Sequence, residues 1–473
     1  MKLLYIGGGY VGSCSAAVSA DSGHDVLVYD INSELIKKLS SGDKDTIESV
    51  LFEENLGELI IRNKERLEFT DQLSKVREKI NEIEAVFMCL PTPEKDSTGE
   101  TDLSYYLKAA EDLANVLAKR NNGEQTRHVL IVNKSTVPIQ MVEMTKNILD
   151  SHGVRNYGLG SNPEFLIEGK AIEGSIRPQR VVVGAKEEKD FKIFRDIYKR
   201  FYDSPSVDYI EVNPAEAEAG KLLANYLLFK RLTNCFDVVG RTCEKFDNIN
   251  FENVRKIIIT DKRIGDWGFY NSLFAGGSCF IKDARSLAYQ LQKKGARIDL
   301  VNSALGANKR QLINFITRAE LEANFRWPGK KVGILGLSFK RHTNDIRNSA
   351  AVFIAENLLD KDVYEIKAYD PVAGKNFLKH FNEKQNKIFL ANNEKEVIKD
   401  VDVLMITTDW PQFRELAPVI INNLKKGALI MDGRRMLHHK YGELSRAGYD
   451  VIAVGSPMIK KMKIEELKIK NCE

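Results

Sequence analysis

The stretch FAGGSCFIKDAR, residues 274–285, places a cysteine directly after a Gly-Gly-Ser run and four residues before an acid. Cys279 could act as a nucleophile, because a thiolate forms covalent intermediates with carbonyl substrates. The glycines carry no Cβ, so a ligand could approach the backbone closely. Lys282 and Asp283 could tune the thiolate and order a water molecule. The alternative is a small apolar core residue, since free cysteines are often buried and inert.

A second chemical signal is the glycine pattern near the amino terminus. Gly7, Gly9 and Gly12 form GxGxxG after the apolar run KLLYI and before a helical stretch of small residues. The first glycine permits a tight turn, the second lets a pyrophosphate approach, and the third brings helix against strand. Asp30 ends the next strand-like run, where an acid binds ribose hydroxyls and repels a 2′-phosphate. The pattern predicts NAD binding, and an empty Rossmann-like turn is the alternative.

The segment VGILGLSFKRHTNDIRNS resembles this turn but contains only Gly333 and Gly336. It therefore predicts a nucleotide-type fold without the full dinucleotide fingerprint. Lys340, Arg341 and Arg347 add cations that suit a diphosphate. Exposed basic residues at a strand–loop junction are the equally weighted alternative.

Composition excludes several classes of function. The 473 residues, 43% hydrophobic and 29% charged, are typical of a globular protein of about three domains. Apolar runs fall short of the roughly 20 residues of a membrane span, and we recognise no signal peptide. The net charge of +4 comes from well-mixed charges, which indicates no nucleic-acid or membrane partner. Six irregularly spaced cysteines without a CxxC pair indicate reduced thiols in the cytoplasm and no metal site.

The elements that must position these residues alternate between strand and helix in both halves of the chain. We expect an α/β fold of two doubly wound Rossmann-like domains, joined by a helical central domain. Strands are predicted at KLLYI, DVLVYD, AVFMCLP, HVLIVNKS, RVVVG, KKVGILGLSF, EIKAYDP, DVLMITT, ALIMDGR and DVIAVG. The predicted domains are 1–212, 213–326 and 327–460, followed by a basic tail at 461–473.

Taken together, the motifs resemble those of the UDP-glucose/GDP-mannose dehydrogenase family. The motifs that carry the resemblance, in chain order, are CLPTP, NKSTVP, SNPEFLIEGKAI, AEAEAGKLLANY, RIGDWGFYNSLFAGGSCFIKD, GLSFKRHTNDIRNS and DGRR. The resemblance implies an N-terminal NAD domain, a helical dimerisation core with a long helix, and a C-terminal UDP-binding domain. It also implies a four-electron oxidation of a sugar C6 alcohol to a carboxylate, with two NAD+ and one water, through a cysteine thiohemiacetal and thioester.

The resemblance assigns roles residue by residue. The implied catalytic residues are Cys279 as nucleophile, Lys221 and Asn225 as oxyanion donors, Asp283 as water orienter, and Thr136 and Glu164 for hydrolysis. The implied cofactor residues are Gly7, Gly9, Tyr10, Val11, Gly12, Asp30, Pro91, Thr92, Ser135, Thr136, Glu168, Lys282 and Arg347. The implied substrate residues are Glu164, Phe165, Leu166, Lys221, Asn225, Arg263, Gly276, Lys340 and Arg434.

Two further expectations concern assembly and pairing. The resemblance implies at least a homodimer, in which Arg263 crosses into the neighbouring subunit's site. It also makes a pairing of Glu168 with Arg347 plausible. As alternatives to catalysis, Asp283 could be an ordinary acid in the first turn of a helix, and Thr136 and Glu164 could be turn or N-cap residues. Lys221 could be a solvated lysine, and Asn225 a capping or core asparagine.

The choice of sugar rests on a few positions. EFLIEG and STVP favour UDP-glucose over GDP-mannose, and GGSC disfavours UDP-N-acetylhexosamines. Phe274 and Ala275 depart from the family pattern, in which a glycine and an aromatic residue precede the paired glycines. Residues 42–58 lack the usual proline–glutamate signature. The alternatives are the same chemistry on UDP-N-acetylglucosamine or GDP-mannose, and a non-catalytic nucleotide-sugar-binding protein.

Overall fold

A computed structural model describes residues 1–96, 98–120, 127–381 and 385–462. The chain forms two compact units. The first contains Met1–Ala224 and Arg285–Ala296, and the second contains Asn225–Ala284 and the described residues from Arg297 onward. Within the described residues, every helix is too short or too polar to cross a membrane.

The first unit is built on an eight-stranded sheet in the order β3-β2-β1-β4-β5-β6-β7-β8. Its strands are β1 (Lys2–Ile6), β2 (Asp25–Tyr29), β3 (Leu67–Thr70), β4 (Ala85–Met88), β5 (Val129–Asn133), β6 (Tyr157–Ser161), β7 (Arg180–Gly184) and β8 (Asp208–Val212). All neighbours pair in parallel except β6 and β7. The central strands are apolar almost throughout, because helices cover both faces of such a sheet.

Helices cover this sheet and connect its strands. They are α1 (Tyr10–Asp21), α2 (Ser33–Leu39), α3 (Lys44–Leu51), α4 (Leu56–Arg62), α5 (Leu73–Lys79), α6 (Ser104–Lys119), α7 (Met141–Ser151), α8 (Ala171–Ile176), α9 (Glu188–Ile197) and α10 (Lys199–Tyr202). One core cluster includes Leu3, Tyr5, Val28 and Phe87, and another includes Leu4, Val86, Tyr106 and Ile131. Alternate residues of β1 enter the two clusters, because successive side chains of a strand point to opposite faces.

The second unit contains a six-stranded parallel sheet in the order β11-β10-β9-β12-β13-β14. Its strands are β9 (Lys331–Leu335), β10 (Glu365–Tyr369), β11 (Ile388–Leu390), β12 (Val403–Ile406), β13 (Leu429–Asp432) and β14 (Asp450–Ala453). This order, in which the third strand is outermost and the first and fourth are central, is that of a Rossmann sheet.

The remaining helices lie in the middle of the chain and around the second sheet. They are α11 (Pro214–Asn234), α12 (Arg241–Lys245), α13 (Phe251–Ile259), α14 (Phe280–Lys293), α15 (Asp299–Ala323), α16 (Ala350–Asp360), α17 (Gly374–His380), α18 (Glu394–Ile398), α19 (Ala417–Asn423) and α20 (Tyr441–Arg446). A π-helix, Cys235–Gly240, continues α11 into α12. The chain passes between the two units three times: within α11, within α14 and after Ala296.

The predicted fold class is confirmed: two Rossmann-like sheets flank a helical stretch that contains long helices. Strands β3, β6, β8 and β11 are not among the strands predicted from the sequence. Strand β6 was missed because its glycines weaken the apolar pattern that is typical of a strand. Gly158 is required there by tertiary packing, since a Cβ would lie 2.0 Å from Asp190 Oδ1 on helix α9. The three-domain division remains a prediction, and most of the predicted tail, from residue 463 on, lies outside the described residues.

Candidate active site

The glycine turn lies between β1 and α1 in the first unit. Gly7 has a φ of +102°, and a Cβ there would lie 2.3 Å from the Cys89 carbonyl oxygen. A Cβ at Gly12 would lie 1.9 Å from the Gly7 carbonyl oxygen. A Cβ at Gly9 would meet no atom within 4 Å, so this side of the turn is open. Two glycines therefore close the turn, and the third leaves room for a pyrophosphate.

The amino terminus of α1 and the end of β2 complete this turn. Tyr10 and Val11 begin α1, and no side chain caps its first N–H groups. Such free groups attract phosphate oxygens. The Gly8 amide donates to Asp30 Oδ2 at 2.7 Å, which holds the acid beside the turn. Open space, uncapped N–H groups and a correctly placed acid fit an NAD molecule.

Two further loops, each following a central strand, are joined by side-chain hydrogen bonds. Ser135 Oγ donates to the Leu90 carbonyl oxygen at 2.7 Å. Thr92 Oγ1 donates to the Thr136 carbonyl oxygen at 2.8 Å. Because β4 and β5 are parallel neighbours, their carboxyl ends meet at the same sheet edge. The predicted cofactor residues Thr92, Ser135 and Thr136, with Pro91 beside them, therefore come together.

A buried ion pair links the loop after β6 to α11. Lys221 Nζ lies 3.0 Å from Glu164 Oε1, and the Leu166 amide donates to Glu164 Oε2 at 2.6 Å. Burial alone would raise the pKa of Glu164, but Lys221, the Leu166 amide and Lys134 together lower it. The carboxylate is therefore held in its ionised form, which is the form that can accept a proton.

Phe165, in the same loop, contacts two cations. Arg180 Cζ is 3.9 Å from the centre of the Phe165 ring, and Lys221 Nζ is 5.3 Å from it. Cations are attracted to the face of an aromatic ring. Both cations therefore help to hold the loop that carries Glu164.

Lys134 is a residue that the sequence analysis missed. It is 6% exposed, and its Nζ lies 2.8 Å from Asn162 Oδ1. Burial lowers the pKa of Lys134, while Cys89 and Glu164 oppose that effect. Its position before Ser135, at the end of a buried strand, was the available signal.

In the second unit, Cys279 lies at the amino terminus of α14 and is exposed. Its carbonyl oxygen accepts from the Asp283 amide at 2.8 Å, which closes the first helical turn. Ser278 Oγ lies 3.5 Å from the sulfur. A helix amino terminus favours negative charge, so this position suits a thiolate.

Asp283 is a buried acid one turn into the same helix, only 1% exposed. Its Oδ2 accepts from Asn225 Nδ2 at 2.6 Å, and its Oδ1 accepts from Lys282 Nζ at 2.6 Å. The second unit therefore joins three of the predicted site residues directly. Lys221, four positions before Asn225, lies on the same helix α11.

The glycine pair before Cys279 permits a close approach of two loops. A Cβ at Gly276 would lie 2.2 Å from the Asn348 carbonyl oxygen. Gly277 has a φ of +86°, and its amide donates to the Arg347 carbonyl oxygen at 3.1 Å. Phe274 packs against the core of the second sheet, and Asn308 Oδ1 accepts from the amide of Ala275 at 2.8 Å. Both departures from the family pattern therefore contribute to packing.

Basic residues follow the strands of the second sheet. Arg434 donates to Asp409 Oδ1 at 2.7 Å and to Ser272 Oγ. Burial raises the pKa of Asp409, but Arg434 and Arg341 outweigh this effect and lower it. Lys340 Nζ lies 5.6 Å from the Phe339 ring centre.

The two remaining arginines of the predicted site are paired with nearby aspartates. Arg347 Nη2 lies 2.6 Å from Asp345 Oδ2, and Arg263 Nη2 lies 2.6 Å from Asp261 Oδ2. The side chain of Arg263 is 89% exposed. Glu168 lies in the loop with Glu164, and its pairing with Arg347 remains a prediction.

The second Rossmann turn differs from the first in a way that the sequence did not reveal. Gly333 lies inside β9, and Gly336, with a φ of +89°, makes the turn. Asp370, at the end of β10, accepts from the amides of Leu337 and Ser338 and from Trp410 Nε1, at 2.7, 3.2 and 3.0 Å. Asp370 has the position of the acid that binds a ribose in such folds, but it already accepts these three hydrogen bonds from the protein itself.

Sequence comparison matches the chain to three domains of one family. Residues 1–202 match the NAD binding domain of the UDP-glucose/GDP-mannose dehydrogenase family. Residues 215–310 match its central domain, and residues 333–439 match its UDP binding domain.

Individual relatives match over nearly their whole length. A protein of Rickettsia felis named UDP-glucose 6-dehydrogenase is 31% identical over 97% of each chain. One of Rickettsia bellii with the same name is 32% identical over 96% of this chain and 100% of its own. The solved structure of a UDP-glucose dehydrogenase from Pyrobaculum islandicum has a TM-score of 0.83 and 26% identity, and covers 96% of this chain and 98% of its own.

Proposed function

Because the chain belongs to the UDP-glucose/GDP-mannose dehydrogenase family, in which it is an NAD-dependent oxidoreductase, we propose that it oxidises UDP-glucose to UDP-glucuronate. The observation that carries this proposal is an exposed cysteine at a helix amino terminus, one turn from a buried acid that is bonded to Asn225. The two oxidations at C6 consume two NAD+ and one water.

NAD+, held by the turn at Gly7, Gly9 and Gly12 and by Asp30, would supply the hydride acceptor for each of the two oxidations at C6. After the first, Cys279 Sγ attacks the C6 aldehyde, and the resulting thiohemiacetal stays on the protein. The second oxidation converts it into a thioester. Water then adds to the carbonyl carbon, and the C–S bond breaks to release the carboxylate and restore the thiolate. The aldehyde never leaves, because the sulfur holds it between the two oxidations.

The oxyanion and the hydrolytic water need separate groups. Lys221 and Asn225 donate to the oxygen on C6 as its negative charge develops. Asp283, held by Asn225 and Lys282, orients the water and takes part in proton movement. Glu164, which its neighbours keep ionised, accepts the proton of the attacking water, and Thr136 positions that water.

The nucleotide sugar is bound by backbone and cationic groups. We propose that the backbone of Phe165 and Leu166 lies along the sugar and that the backbone of Gly276 contacts it. Lys340 and Arg434 contact the diphosphate and sugar hydroxyls. The Asp409 pairing leaves the guanidinium of Arg434 fixed in place, which favours planar recognition of phosphate.

We further propose a homodimer in which Arg263 enters the partner subunit's site. The exposed guanidinium of Arg263 pairs with Asp261, two positions earlier in the chain. The second unit also exposes large apolar side chains, with Leu227 59%, Ile257 73% and Trp267 39% exposed. Apolar surface of this kind is typical of a permanent interface. We place the reaction in the cytoplasm, where Cys279 stays reduced.

A substrate panel tests the proposal. NADH formation is followed with UDP-glucose, UDP-N-acetylglucosamine and GDP-mannose, with NAD+ and NADP+ in parallel. We expect turnover with UDP-glucose and NAD+, and two NADH per sugar. Turnover with another sugar but none with UDP-glucose would overturn the substrate, and one NADH per sugar would mean release at the aldehyde. Absence of turnover with all three sugars would favour a non-catalytic binding protein.

A further inference from the structure

A buried acid connects the cofactor turn to the loop that carries Glu164. Glu53 is 2% exposed and lies between α3 and α4. The chain turns inward there because Phe52 and Asn55 both adopt left-handed backbone conformations, with φ of +53° and +67°. Left-handed conformations are uncommon for such residues and are kept only where the surrounding structure holds them. The sequence analysis noted only that this segment lacks the family signature.

Tyr10 forms one end of the connection. It is the first residue of α1, between the second and third glycines of the turn. Its phenol donates to Glu53 Oε2 and accepts from the Gly169 amide at 2.7 Å. Burial, and then the nearby carboxylate, raise the pKa of Tyr10, so the phenol keeps the proton that it donates.

The loop after β6 forms the other end. The substrate loop, defined here as residues 164–170, contains Glu164 and ends where α8 begins. The Ile172 amide in the first turn of α8 donates to Glu53 Oε1 at 2.9 Å. Each carboxylate oxygen of Glu53 thus accepts from a different partner. One partner is in the cofactor helix, and the other follows the substrate loop.

We propose that Tyr10 and Glu53 couple occupancy of the NAD site to the order of the substrate loop. The argument rests on the proposed function for the role of that loop. The reaction requires a first NADH to leave and a second NAD+ to enter while the sugar stays bound to Cys279. The hydrogen bonds that Tyr10 and Glu53 accept from Gly169 and Ile172 connect the amino terminus of α1 to the substrate loop. Through them, the binding of each cofactor molecule restores the order of that loop. Tyr10 and Glu53 act here as positioning residues, apart from any backbone contact of Tyr10 with NAD.

Hydrogen–deuterium exchange with NADH alone tests the coupling without any sugar. We expect NADH to slow exchange of peptides covering residues 164–174 by about threefold or more in the wild type. In Tyr10→Phe and Glu53→Gln this protection is lost, with NADH present at saturation. Tyr5→Phe is the matched control, because it removes a buried phenol hydrogen bond to Ser19 in the same unit, outside the connection. Equal protection in Tyr10→Phe and wild type would overturn the proposal.

A titration measures the same coupling as a ratio of affinities. UDP-glucose and NADH do not react, so the Kd of UDP-glucose can be measured with and without NADH. We expect NADH to change that Kd about fivefold or more in wild type and Tyr5→Phe, and to leave it unchanged in Tyr10→Phe. If NADH changes the Kd of UDP-glucose in Tyr10→Phe by the same factor as in the wild type, the coupling is contradicted. Failure of UDP-glucose to bind the wild type contradicts the proposed substrate, and the exchange experiment then decides the coupling by itself.

Discussion

Glu164 and Lys221 form an ion pair, with 3.0 Å between Oε1 and Nζ, inside a loop–helix contact that is almost closed to solvent. The side chains are 14% and 7% exposed. In this environment each charge depends on the other, because an unpaired buried charge is costly. The pair therefore constrains both the proposed base and the proposed oxyanion donor.

Replacing the base should stop the reaction at the thioester. In Glu164→Gln, we expect hydrolysis to slow by about 100-fold or more, because the water loses its proton acceptor. Stopped-flow absorbance should show a burst of two NADH per subunit and then a slow phase. Glu143→Gln, which removes an exposed acid paired with Lys186, is the control. A variant with no burst and a normal steady rate would exclude Glu164 as the base.

The pH dependence of the hydrolysis rate should show whether Lys221 keeps Glu164 ionised. Because the pKa of Glu164 is lowered, the wild-type hydrolysis rate should not fall as the pH is reduced from about 8 to about 5. Lys221→Met removes the nearest cation, so burial then raises the pKa and the acid limb moves to higher pH. The residual hydrolysis rate of the variant measures this shift. Identical acid limbs would show that Lys221 does not set the charge of Glu164.

Removal of the sulfur should abolish full turnover. In Cys279→Ser, we expect steady NADH formation to fall by about 1000-fold or more, because no thioester can form. Mass spectrometry should detect a sugar adduct or a tightly held intermediate. Cys243→Ala, at a buried free cysteine, should retain activity. Turnover like that of the wild type in Cys279→Ser would refute the mechanism.

Complementation tests the contribution of Arg263 across the dimer. Arg263→Ala and Cys279→Ser should each be inactive. When they are co-expressed, a mixed dimer contains one site with an intact Cys279 and the partner subunit's intact Arg263. Random pairing then restores about a quarter of wild-type activity. Absence of recovery in isolated mixed dimers would place Arg263 in its own subunit's site, and an active Arg263→Ala variant would place it outside the reaction.

The close approach at Gly276 predicts a strong effect of one methyl group. Gly276→Ala places a Cβ 2.2 Å from the Asn348 carbonyl oxygen, so a loop must move. We expect a loss of about 1–3 kcal/mol in the free energy of unfolding, and lower activity. Gly442→Ala, in α20, meets no atom closer than 3.8 Å and should change stability by less than about 1 kcal/mol. Thermal unfolding midpoints of both variants check this difference.

Glu218 predicts a pH dependence of stability. Burial raises its pKa to about 7, although Asn133 and the amides of Gln140 and Met141 donate to it. Because the folded pKa exceeds the unfolded one, its contribution is complete below about pH 4.5 and is lost as the pH rises through about 7. The loss amounts to about 3 kcal/mol. Glu218→Gln should remove this dependence, so unfolding midpoints of variant and wild type should diverge between these pH values. Parallel midpoints would contradict the raised pKa.

Much of the fold could be predicted from the chain because its signals are local. Apolar runs of four or five residues, each followed by a turn, marked most of the strands, and Gly7, Gly9 and Gly12 marked the cofactor turn. The strands that were missed are short, polar or rich in glycine. Gly158 shows the reason. It has no side chain because Asp190, on a helix about 30 residues later, packs against it, and no local sequence pattern indicates that contact.

The chain by itself determined the family, the cofactor turn and the cysteine that we propose as nucleophile, because residue types at short spacing carry each of these signals. Only the tertiary structure shows that Asn225 donates a hydrogen bond to Asp283 and that Trp410 donates one to Asp370. The same is true of the hydrogen bond from Tyr10 to Glu53, through which the cofactor turn is joined to the substrate loop. Each of these contacts joins residues at least 40 positions apart. Such contacts form only when packed sheets and helices bring distant segments together, so their partners cannot be identified from spacing along the chain.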